Sequence, residues 1–152
     1  MASASELLNA TRGDTAQNSF LTISDADAKA VFDLSDDWDD LTDDEKAKYL
    51  VQATRLINDP LLFPGLVLGV EEEYDAAYAA AQTACYFQAV YLVRNIDDIR
   101  DAENAGAVGA KAISSPVGSV SVTAFSRFNA RSPEAMAVLR PFCDFGPPRI
   151  LR

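Results

Sequence analysis

The sequence predicts a mainly α protein: a small helical bundle carrying an extended β-strand or hairpin and a C-terminal arm. Three observations support this. Thr42-Asp43-Asp44-Glu45 has the form of a capping box, and Ala47, Leu50, Val51, Thr54 and Ile57 follow it at the spacing of one helical face. The stretch AAYAAAQTACYFQAVYLV over 76–93 is uncharged and rich in alanine, as a buried central helix requires. Only SSPVGSVSVTAF, residues 114–125, alternates apolar and polar residues with the period of two of a strand.

Taken in order, residues 1–18 are small and polar without sustained periodicity, which predicts a mobile or partner-docked N-terminal arm. The helical bundle is expected over 19–110. Its first helix is expected from about Asp25 to Leu34, capped by Ser24, with Asp27 in the first turn facing the free backbone N–H groups. The acidic run DLSDDWDDLTDDE then reads as a solvated linker, with Trp38 packed between the helices on either side. The helix begun by the capping box is stopped by Pro60.

NDPLLFPGLVLGV combines prolines and glycines with Leu62, Phe63 and Leu66, so this loop either covers the core or makes a subunit contact. The long helix is expected from about Val70 to Asn95. Tyr74, Tyr78, Ala81, Cys85, Gln88 and Leu92 form its seam. Tyr86, Phe87, Val90 and Tyr91 lie off that seam and need cover from other helices or a neighbouring subunit. Gly106 and Gly109 are expected to loosen the chain before the β element at 111–128.

Val117, Val120, Val122 and Phe125 belong to that element, and its strand has no second run of comparable quality to pair with. Either Lys111–Ser114 and Val120–Phe125 make a small hairpin whose outer edge meets a neighbour, or the strand pairs only across subunits. Residues 129–152 follow as a short helix and a basic tail. Ser132, Pro133 and Glu134 supply an N-cap, a proline at the first helical position and an acidic first turn.

Charge and composition narrow the function. Residues 1–110 hold 21 acids against 7 bases, while 111–152 hold 2 acids against 6 bases, within a net charge of −10. An acidic body repels nucleic-acid phosphates, whereas the tail with Arg127, Arg131, Arg140, Arg149 and Arg152 implies a partner, an acidic protein surface ahead of a nucleic acid. Histidine is absent, which removes the commonest general base and metal ligand, so no enzyme, metal or cofactor is expected. The aspartate run lacks the glycine and alternate-position acids of an EF-hand loop. GAVGAK has the wrong glycine spacing for a phosphate loop, and the serines of 114–121 have no proton acceptor beside them. Cys85 and Cys143 read as ordinary reduced thiols. The acidic flank Glu71-Glu72-Glu73 and the alanine content argue against a membrane span, and MASASELLNATRGD lacks the features of a secretory signal.

The ordered set NSFLTISDADA, W..LTDDEK...L.QATRLI, LLFPG, SPVGSVSVTAF and SPEAMAVLRPF, spanning residues 18–142, resembles the head-to-tail adaptor (connector, head-completion) proteins of tailed bacteriophages. Gly65 after Pro64 departs from the arginine common at that place in the family. The resemblance implies a non-enzymatic virion protein at the neck, assembled in the host cytoplasm, forming a dodecameric ring between portal protein and tail or neck protein. DNA passes through the ring's channel without specific binding, and no membrane is involved. The intersubunit residues expected are Val117, Val120, Val122, Phe125, Leu62, Phe63 and Leu66. Portal contact is expected from Arg140, Phe142, Arg149, Ile150, Leu151 and Arg152. The alternative is a single-stranded-DNA-binding replication accessory protein, which would need a basic groove interleaved with aromatics.

Overall fold

The computed structural model describes residues 2–33, 36–58, 75–107, 113–115, 118–120 and 131–142. Helix dominates them: α1 (Ile23–Ala30), α2 (Asp43–Ile57), α3 (Asp75–Ala107) and α4 (Pro133–Leu139), the last running into a 3₁₀ turn at Arg140–Phe142. The three-residue segments β1 (Ile113–Ser115) and β2 (Gly118–Val120) pair antiparallel, Ile113 opposite Val120. The β element expected over 111–128, with its pairing between subunits, otherwise lies outside the described residues, as do 59–74 and 143–152.

Helix α2 begins as its sequence dictates. The Thr42 hydroxyl accepts from the Glu45 N–H and the Glu45 carboxylate accepts from the Thr42 N–H, closing the capping box. Its face of Ala47, Leu50, Ala53, Thr54 and Ile57 is buried. Helix α4 is likewise capped by the Ser132 hydroxyl, which accepts from the Ala135 N–H, with Pro133 at the first helical position. No helix among the described residues is long and apolar enough to cross a membrane.

Helix α3 is the central element, with α2 and α4 packed against it. Ala77, Ala81, Ala84, Cys85, Ala89 and Leu92 form a buried seam of mostly small side chains, which lets neighbouring backbone come close. Tyr86 and Val90, which needed extra cover, are buried within the chain itself, Tyr91 is half-buried, and of these four Phe87 alone is exposed. The helix continues to Ala107, past the end expected near Asn95, and it absorbs Gly106. Once propagated, a helix carries one glycine at a cost of about 1 kcal/mol, and the alanines around Gly106 favour continuation.

Between the N-terminal residues and α1 a non-helical stretch, Ser19-Phe20-Leu21, is fully buried. Burial of irregular backbone requires a partner for each polar group. The Phe20 N–H donates to the Thr54 hydroxyl at 3.2 Å, and the Gln82 amide donates to the Phe20 carbonyl at 3.2 Å. The Ser19 hydroxyl accepts from the Leu21 N–H and donates to the Leu21 carbonyl. Thr54 also meets the Cys85 thiol at 3.4 Å, and Cys85 donates to the Leu50 carbonyl. The segment is thus bonded to both α2 and α3.

Helix α1 differs from expectation at both ends. Thr22, not Ser24, caps it by accepting from the Asp25 N–H, and the helix closes at Ala30, where tight turns take the Phe32 N–H to Lys29 and the Asp33 N–H to Ala30. Asp27 therefore does not serve the first turn. Its Oδ1 accepts from Trp38 Nε1 at 2.8 Å and from Lys46 Nζ at 2.9 Å. Trp38 is buried with its ring edge-on to Tyr86, and the Lys46 ammonium lies 5.7 Å from the Trp38 ring centroid. One carboxylate so joins α1, the linker and α2. The acidic linker is not wholly solvated either, since Asp33 and Asp37 both pair with Arg94 of α3.

Residues 2–18, expected as an arm, are tied to the body of their own chain. Ser5 gives both its N–H and its hydroxyl to Asp44, Gln17 donates to the Tyr78 hydroxyl at 2.7 Å, and Arg12 stacks 4.4 Å above the Tyr78 ring. At the other end, the buried Gln88 of α3 accepts from the Ser132 N–H at 2.8 Å, and Arg131 donates to the Leu56 carbonyl. These two bonds fasten the start of α4 to the middle of α3 and the end of α2.

Two outcomes follow. Asp27→Ala strands the buried Trp38 N–H and leaves Lys46 without its counter-charge, so urea unfolding should show a loss of about 1–3 kcal/mol, with Asp27→Asn losing less because it retains an acceptor. In the folded state hydrogen bonds from Ser5 hold the Asp44 carboxyl below its ordinary value, and those from Thr42 do the same for Glu45. A depressed folded pKa adds stability above the unfolded value of about 4, and that stability is lost as pH falls through the lowered value. Amide-exchange protection factors across residues 2–8 should therefore drop below about pH 4, and Asp44→Ala should reproduce the drop at neutral pH.

Candidate functional site

The most exposed large apolar residues described are Phe32 (88%) and Val31 (76%), directly after α1. Their position follows from where the helix stops. Ala26 and Ala30, four residues apart, are the buried stripe of α1. Phe32 stands six residues after Ala26, far around the axis from that stripe, and cannot reach the core.

Phe32 forms one wall of an open groove of about 450 Å³. Phe87, Val90 and Tyr91 of α3 provide its floor, and Lys29, Asp33, Arg94 and Glu134 its rim. The rim is held by charge pairing: Arg94 Nε donates to Asp37 Oδ2 at 2.7 Å, and its other nitrogen lies 3.6 Å from Asp33 Oδ1. Donation to the Asp37 carboxylate, with Asp33 adding to it, holds the Arg94 guanidinium above its ordinary value. The Tyr86 hydroxyl donates to Asp33 at 3.2 Å, and burial, reinforced by that carboxylate, pushes the phenol up, so it stays protonated.

An apolar aromatic floor with a paired ionic rim suits contact with another macromolecule. Acid–base or nucleophilic work is not what these groups are set for. Arg94 and Tyr86 hold their protons through the neutral range. Cys85 is enclosed in the core, and burial pushes its thiol up to about 11, the reverse of an activated nucleophile. Among the described residues no group of three side chains could hold a metal ion.

Of the site residues expected from sequence, Leu62, Phe63, Leu66, Val117, Val122, Phe125, Arg149, Ile150, Leu151 and Arg152 lie outside the described residues. Val120 is in β2, opposite Ile113. Arg140 and Phe142 are exposed in the 3₁₀ turn after α4, whereas the groove meets α4 through Glu134 near its other end. Phe32 and Arg94 were missed. Phe32 was hidden inside an expected helix running to Leu34, and a count from Ala26 and Ala30 could have shown that it falls off the buried stripe. Arg94 offers no local signal, because its partners stand 57 and 61 residues away in sequence.

Comparison with protein-family models, with curated proteins and with solved structures finds no match for this chain.

Proposed function

We propose that the chain is a structural, non-enzymatic subunit of a tailed-phage virion, a head-to-tail adaptor whose copies form a ring between the portal protein and the tail or neck. The observation that carries this reading is the ordered set of motifs over residues 18–142, from NSFLTISDADA to SPEAMAVLRPF. Two physical features support it. With 7 bases against 21 acids, the body offers a passing DNA duplex few counterion-releasing contacts, which suits a channel that conducts DNA without holding it. Phe32, Val31 and Phe142 are large apolar side chains facing solvent, and subunit contacts would cover them. In this reading the residues around β1 and β2 serve as the assembly element and the basic C-terminal tail reaches the portal.

The decisive measurement is mass in solution, with and without a portal preparation. A closed ring, or co-sedimentation with portal, is the expected result. A chain that stays monomeric at every concentration and ignores portal refutes the proposal, and tight, salt-sensitive binding to an oligonucleotide favours the single-stranded-DNA-binding alternative instead. A narrower outcome concerns the β element. Val120→Pro with Val122→Pro removes backbone donors, so the variant should keep its helical circular dichroism and lose assembly.

A further inference from the structure

The bases of the acidic body are unevenly employed. Arg12 stacks on Tyr78, Lys46 pairs with Asp27, and Arg94 pairs with Asp33 and Asp37. Lys48, Arg55 and Arg100 are exposed and make no ion pair within 4 Å among the described residues. All three line one open groove of about 1010 Å³, between α2, α3 and the N-terminal residues. Tyr49, Leu56 and Ile96 are half-buried in it, above the buried Leu92 and Ile99. The one carboxylate lining it, Glu45, already serves the capping box of α2.

The groove has a complement on the same chain. Asp36, Asp39 and Asp40 are exposed in the α1–α2 linker with no ion pair among the described residues, and Phe32 and Val31 project beside them. These two surfaces lie on opposite sides of the bundle. Phe87, under Phe32, and Ile96, in the cationic groove, are nine residues apart on α3, which is two and a half turns or about 180°. Helix α2 repeats the geometry. Lys46 faces Asp27 and Trp38, and Arg55, nine residues on, faces the groove.

We infer that the groove of Lys48, Arg55 and Arg100 receives the acidic linker of a second copy of this chain, residues 36–40, with Phe32 of that copy as its apolar anchor. Opposite charge fixes the register and an aromatic supplies burial, the division of labour found at specific protein contacts. The contact is head-to-tail, because each copy offers the groove on one side and the linker on the other. It rests on the ring reading above and names the surfaces that would join neighbouring copies.

The test is a charge swap in the full-length chain, with mass read by analytical ultracentrifugation. Arg55→Glu with Arg100→Glu should weaken self-association by about a hundred-fold, and Asp39→Lys with Asp40→Lys should do the same. All four residues are exposed, so melting temperature and circular dichroism should not change. Mixing the two variants pairs each reversed groove with a reversed linker and each native groove with a native linker, and assembly should return. Phe32→Ala should weaken association without altering the salt dependence. If wild type and both variants assemble alike, this inference is overturned and the ring reading stands. If wild type never assembles, both fall. If each variant fails alone and the mixture also fails, the linker is not the occupant and the inference is overturned.

Discussion

The fold depends on satisfying one short piece of irregular backbone inside the core. Ser19-Phe20-Leu21 is neither helix nor sheet, yet it is buried where α2 and α3 meet. A lone backbone N–H or carbonyl left unpaired at such depth costs about 1–3 kcal/mol. Thr54 and Gln82 remove that penalty for Phe20, one from each helix; the Ser19 hydroxyl serves the Leu21 pair, the Ser19 N–H donates to the Asn9 carbonyl, and the Ser19 carbonyl accepts from the Gln17 amide. The geometry is possible because α3 presents Ala81, Ala84 and Cys85 there, leaving room for the chain to pass close to both axes. Placing Phe20 also positions its ring edge-on against Tyr78, whose hydroxyl accepts from Gln17 and whose face carries Arg12. Docking of residues 2–18 therefore follows in part from the same constraint.

This accounts for what could and could not be read from sequence. The capping box of α2 and the serine cap and proline start of α4 are local chemistry within four residues, and the two helices begin where Thr42 and Ser132 place them. The α3 seam is a periodicity and survives as such. Asp27 is different: in sequence it looks like a first-turn carboxylate, and its true partners, Trp38 and Lys46, stand 11 and 19 residues away. The Phe20 bonds reach across 34 and 62 residues, and the Gln88 bond to Ser132 across 44. A buried polar side chain in a helical pattern announces that it has a partner but not which one. For the same reason the docked N-terminus, the early stop of α1 and the charge pairing of Arg94 were illegible, while the mainly α class was not. Most residues expected to make contacts lie outside those described, and Phe32 was hidden within a helix expected to run to Leu34, although the Ala26 and Ala30 spacing already sets it off the buried stripe.

Electrostatics divide the molecule along the same lines. With 7 bases against 21 acids in residues 1–110, each cation committed internally removes one from the surface. Arg94 and Lys46 are both spent on the α1 side of the bundle, where they restrain acids of α1 and the linker. Lys29 stays on that side at the rim of the Phe32 groove, and Lys48, Arg55 and Arg100 gather on the other, beside α2 and the second half of α3. A chain of strongly negative net charge thus has a locally cationic face, a polarity that net charge alone conceals. Such an arrangement orients encounters between copies, because linker and groove attract, while linker on linker brings acid to acid and groove on groove brings base to base.

Two faces half a turn apart about α3 have a consequence for assembly. If copies join linker to groove, perfectly opposed faces would repeat by translation and give an open filament. Closure into a ring requires a departure from opposition, repeated at every contact. That angle is not carried by α3, whose two faces are fixed by helical geometry. It is carried by how α1 and the linker lean on the bundle, because Phe32 and Asp36–Asp40 ride on them. Their lean is held by the Asp27 carboxylate between Trp38 and Lys46, and by Arg94 between Asp33 and Asp37. The knot that secures the fold on that side would then also set the curvature of the assembly, and loosening it would disturb the ring before it unfolded the subunit.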